Sequence, residues 1–111
     1  KAFVADAWRN QEKASLALDG FRAALADYQE LGVETRVAYT RLFISETLLQ
    51  LGRPREAEWE ILAALPTIEE QKMVPEGYAA VSLLKESVRQ RKTDPNALRE
   101  LREHLQAANQ K

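Results

Sequence analysis

Apolar residues recur along this chain at the spacing of one helix face: Phe21, Ala24, Leu25 and Tyr28, then Ile61, Ala64, Leu65 and Ile68, then Leu101, Leu105 and Ala108. No strand-like alternation competes with that period. The residues that end and start helices fall between these stretches. Gly32 stands where a left-handed residue would close a helix, Gly52-Arg53-Pro54 pairs a stop glycine with a first-turn proline, and Pro75 and Asp94-Pro95 repeat the starting signal. The pattern predicts an all-α fold of six segments, near residues 2–10, 13–31, 35–51, 54–71, 76–91 and 95–109, packed as successive antiparallel pairs. The least supported boundary is at 11–13, where a turn is expected but no Gly or Pro supplies one.

The stretches are related by a shift of 40 residues. Ala17, Ala57 and Ala97 share a column, as do Phe21, Ile61 and Leu101, and Leu25, Leu65 and Leu105. Upstream the same shift aligns Phe3, Phe43 and Leu83, then the small residues Ala7, Thr47 and Ser87. The alanine column is expected where two helix backbones come closest. The first helix of a pair must touch its own partner and the preceding pair, so it should be apolar around much of its girth. Val37 to Leu51 meets that requirement, whereas the last helix confines its apolar stripe to Leu98, Leu101 and Leu105, as expected of a polar cap.

The pattern of Ala followed four residues on by Phe, Ile or Leu, together with Leu-Gly-Arg-x-x-Glu-Ala at 51–57, resembles the tetratricopeptide repeat along essentially the whole chain. The third unit departs from it, with Lys92 in place of the turn glycine. The resemblance implies a right-handed superhelical solenoid with an incomplete first repeat at 1–33, a second at 34–73 and a third, capping repeat at 74–111. These units exceed the 34 residues usual for the family and add about 9 Å of helix to each pair. Units of this length resemble the repeat regions of bacterial regulatory proteins, including segments that follow a zinc-binding anti-sigma-like domain. A non-catalytic protein-interaction or dimerisation scaffold in the cytoplasm is the implied role.

Composition narrows the chemistry. With 16 basic and 17 acidic residues, a formal net charge of -1, there is no global basic field for nucleic acid. A nucleic-acid adaptor using Arg89-Gln90-Arg91-Lys92 is the alternative reading, although cations at a helix C-terminus are favoured for their own sake. The chain has no cysteine and one histidine, His104, which is expected to be a partly exposed cap residue. Neither a metal site nor a catalytic site is expected, and no cofactor, because the glycines are isolated and no His or Cys cluster exists. Glu69-Glu70 and the Glu56, Glu58, Glu60 group are expected to be solvated faces. No apolar run is long enough to span a membrane.

Transferred residue by residue, the family's groove positions fall on Tyr39, Leu42, Glu46 and Leu49 in the second unit and on Ala79, Ser82, Glu86 and Arg89 in the third. The lysines and asparagines that clamp a terminal carboxylate in some family members are missing there. The chain instead carries an acidic column, Asp6, Glu46 and Glu86, beside an amide column, Asn10, Gln50 and Gln90. Such columns suit a basic or extended peptide; the competing explanation is pairing within one helix, Asp6 with Arg9 and Glu86 with Arg89. Trp59 shares its column with Asp19 and Arg99. Either it faces water on the convex side as an interface anchor, or it folds over the neighbouring helix and covers core.

Overall fold

The structure, a computed structural model, describes residues 2–93, 99 and 102–107, with side chains for 10–92, 99 and 102–107. The described residues are helical apart from short turns. Four helices follow one another: α1 (Ala2–Leu31), α2 (Glu34–Gln50), α3 (Pro54–Glu70) and α4 (Val74–Thr93), and residues 102–107 are helical again.

The expected turn at 11–13 is absent, and α1 runs unbroken from Ala2 to Leu31. Helices for 2–10 and 13–31 as separate elements are therefore incorrect. Asn10 to Ser15 contains no residue that must leave the helix, and Gln, Glu, Lys and Ala prolong one at little cost. The other ends fall close to expectation, with α4 starting two residues earlier and ending two later than the sequence pattern indicates.

Three turns repeat one geometry at 20-residue spacing. Gly32 (φ 71°), Gly52 (φ 72°) and Lys72 (φ 53°) each take the left-handed conformation. In each, the next residue's N–H returns to a carbonyl five residues back: Val33 to Tyr28 at 3.1 Å, Arg53 to Leu48 at 2.9 Å and Met73 to Ile68 at 2.9 Å. This closure satisfies helix-end carbonyls and leaves so short a link that consecutive helices must fold back on each other. A side chain at Lys72 is strained where glycine is not. Lys72→Gly is accordingly expected to raise stability by about 0.5–1 kcal/mol, read as a higher urea midpoint with unchanged slope.

Consecutive helices pack together, and α2 additionally meets α4. Tyr39 and Leu42 lie against Pro75 and Ala79 at one end of that contact. The Leu49 carbonyl accepts from Gln90 at the other, so α2 and α4 run parallel. One core cluster joins Ala38 and Leu42 of α2, Ile61, Ala64 and Ile68 of α3, and Ala80 of α4. A second joins Leu18 of α1, Ile44, Leu48 and Leu49 of α2, and Ala57 of α3. Helix α2 contributes to both and is buried on more than one face, as its composition requires. Thr40, Ser45 and Thr47 are buried in it too; each hydroxyl donates to a carbonyl of its own helix at 2.7–2.8 Å, so none of the three is stranded.

The 40-residue register holds only in part. Ala57 is completely enclosed, but its equivalent Ala17 is exposed, and α1 instead buries Ala14 and Leu18. The physical reason is that α3 packs extensively on both α2 and α4, whereas the extensive packing of α1 is on α2 and it turns Ala14 and Leu18 inward rather than Ala17. Ala97 lies outside the described residues, as do the side chains of Phe3, Asp6, Ala7 and Arg9 and of Leu98 and Leu101.

Candidate functional site

The parallel pairing of α2 and α4 leaves a cleft of about 270 Å³ between them. Helix α2 supplies Tyr39, Leu42, Phe43 and Glu46, spaced as one helix face; α4 supplies Pro75, Glu76, Ala79 and Leu83. Leu42 is the buried floor, while Tyr39 and Phe43 remain 40% and 38% exposed as a wall. The Tyr39 ring meets Phe43 edge-on with centroids 4.9 Å apart, and Phe43 stacks on Phe21 of α1 at 5.4 Å. These contacts hold the aromatic wall in place from behind.

Of the positions singled out in the sequence, Tyr39, Leu42, Glu46 and Ala79 meet in this cleft. Asn10 and Gln50 meet elsewhere, with Gln11, Lys13, Ala14 and Ala17 in a cleft of about 500 Å³ between α1 and α2. Leu49 is a core residue and offers the surface only its carbonyl. Gln90 spans 3.2 Å to that carbonyl and 3.2 Å to Glu86, tying α4 to α2. Ser82 is exposed but does not line the cleft. Phe43, Pro75, Glu76 and Leu83 line the cleft outside the groove positions: Phe43 and Leu83 share only a repeat column, and nothing local places the first turn of α4 beside the first half of α2.

Glu86 and Arg89 pair with each other along α4, as the internal-pairing explanation holds. The Arg89 hydrogen bonds, then Gln90 and the Arg89 charge, hold the Glu86 carboxyl down at about 2, and the same contact raises the Arg89 guanidinium. A carboxyl depressed in the folded state contributes stability above its unfolded value and loses it as pH falls through the folded one. The pair's contribution should thus be complete at neutral pH and vanish on acidification from the ordinary carboxylate range towards pH 2. Carbon-detected NMR titration should find Glu86 ionised well below the ordinary carboxylate range in the wild type and moved back towards it in Arg89→Ala.

The expected solvated face at Glu56, Glu58 and Glu60 is incorrect for Glu60. Its side chain is only 13% exposed and accepts from Arg41 of α2 at 2.9 Å, with Arg41 itself 14% exposed. Glu58 pairs with Arg91 at 3.3 Å, and Glu56 with Arg53 and Arg22. Trp59 stands above this seam, 63% exposed, with the Arg41 guanidinium 5.5 Å from its ring centroid. It does not cover core. Asp19 and Arg99, its equivalents, are exposed as well. In the basic cluster Arg89 and Arg91 are both committed to glutamates, which leaves less charge for phosphate. His104 is exposed.

Among the described residues no group of three or more His, Cys, Asp or Glu is placed to hold a metal ion, and no helix is long and apolar enough to cross a membrane. No family model, curated protein or solved structure matches this chain.

Proposed function

We propose that the chain is a tetratricopeptide-like segment of a larger bacterial regulatory protein, acting without catalysis as a scaffold that binds a peptide of a protein partner. One observation carries this reading: the first helices of two successive pairs, α2 and α4, lie parallel and side by side with an open cleft between them. A closed four-helix bundle would bury that seam. Stacking of helix pairs is what leaves such a surface open, and extended peptides are bound in grooves of this kind. The molecule's flatness agrees, at 51 × 46 × 24 Å with a radius of gyration of 16.8 Å, against about 13 Å for a compact domain of similar length.

Panning a random peptide library against the wild type, with Ala79→Trp as a filled-cleft control, tests the reading. Ala79 is exposed at the cleft wall, so the tryptophan can block the cleft without entering the core. Selected peptides should bind the wild type and lose binding to the variant. Peptides that bind both equally would remove the cleft from the function.

A second surface is favoured by the exposure of Trp59 together with Leu62, which is 51% exposed one turn further along α3. This pair is suited to contact a second copy, since interface hot spots are rich in tryptophan. Trp59→Ala should convert a sedimenting dimer to monomer while costing only about 0.5–1 kcal/mol of stability, the worth of its contact with Arg41. A monomeric wild type whose variant simply melts earlier would end the dimer idea.

A further inference from the structure

The α2–α4 cleft places two carboxylates that have no counter-charge among the described residues beside aromatic rings. Glu56, Glu58, Glu60 and Glu86 each have an arginine partner. Glu46 and Glu76, which border the cleft from opposite helices, have neither a hydrogen bond nor an ion pair with any described residue. Among the described residues no lysine or arginine lines the cleft. The two carboxylates stand beside the half-exposed rings of Tyr39 and Phe43 and above an aliphatic floor, so a cation entering here meets both negative charge and aromatic faces.

We propose that this cleft receives an arginine side chain from an extended segment of the partner protein. The inference rests on the scaffold reading above and names the chemistry of its ligand. The guanidinium is planar and weakly hydrated, stacks on aromatic rings and bonds to carboxylates, whereas a lysine ammonium keeps its water and lacks a stacking face. Its methylene stem lies on Leu42 and Leu83, as arginine stems commonly lie on apolar surface. At about 270 Å³ the cleft is smaller than the roughly 300–1,000 Å³ of sites for small organic ligands, which suits one side chain better than a cofactor. An acidic ligand or a terminal carboxylate is repelled by the same two glutamates, which opposes this site to the carboxylate-clamping grooves considered from the sequence.

The test is an amide-resolved NMR titration with three blocked pentapeptides, identical except for a central Arg, Gln or Glu between alanines. It is run on the wild type and on the Glu46→Gln, Glu76→Gln double variant. Because these carboxylates have no partner among the described residues to lose, the variant should melt as the wild type does, and its melting curve is recorded alongside. The arginine peptide should shift the amides of Tyr39, Glu46 and Ala79 at millimolar concentration. Its affinity should fall roughly tenfold in the double variant, the loss of one charge-assisted hydrogen bond, and should weaken as salt rises. Equal binding of the Gln or Glu peptide in the cleft would overturn the arginine proposal and leave the scaffold reading standing. Cleft shifts with none of the three would overturn it as well, and the scaffold reading would then be judged by the library-selected peptides alone.

Discussion

Ile61→Ala is expected to destabilise the chain by about 2–5 kcal/mol, a large share of the roughly 5–15 kcal/mol that holds an ordinary domain together. Ile61 is completely enclosed in the cluster where α2, α3 and α4 meet. A cavity left there is walled by three helices, each tied to the next by a tight turn, so its walls cannot close without shifting a whole element. Urea denaturation should show a lower midpoint with unchanged slope. A loss below about 1 kcal/mol would mean that this cluster is not where the fold's apolar burial is concentrated.

Ala57→Leu tests the same packing from the opposite direction. Ala57 has no exposed surface and lies among Leu18, Ile44, Leu48 and Leu49, contributed by α1 and α2. The added side chain has to separate helices or force strained rotamers, at a cost of about 1–3 kcal/mol. Ala17→Leu provides the internal comparison. By the sequence repeat Ala17 is equivalent to Ala57, yet it is exposed at the edge of the α1–α2 cleft. That variant should stay within about 0.5 kcal/mol of the wild type. Equal destabilisation by the two variants would restore the strict 40-residue register; thermal melts of the pair are sufficient to decide.

The two substitutions also separate what is local from what is not. Helical character, the turns at Gly32 and Gly52 and the many-sided burial of α2 were legible in the sequence because each depends on nearby residues: apolar period, a residue tolerant of positive φ, a proline in the first turn. The left-handed turn at Lys72 was not legible, since lysine carries no signal for that conformation. Half of the cleft was legible too, because Tyr39, Leu42 and Glu46 share a face of one helix by spacing alone.

What the repeat could not supply is which equivalent positions share an environment. Equal spacing aligns residues, but burial depends on the neighbours each helix finds. Ala57 of α3 finds Leu18 of α1 and Ile44, Leu48 and Leu49 of α2 around it, while α1 turns Ala14 and Leu18 inward, so Ala57 is core and Ala17 is surface. The same reasoning distinguishes the glutamates. Glu60 looks like its charged neighbours in the sequence and is drawn into the α2–α3 seam by Arg41, whereas Glu76 becomes part of a cleft only because α4 lies parallel to α2. Sequence periodicity determined the helices and the faces they offer, since these follow from contacts within a few residues. The pairing of those faces across the chain was decided by the tertiary structure, because side chains far apart in sequence settle together which apolar surface and which charges leave water.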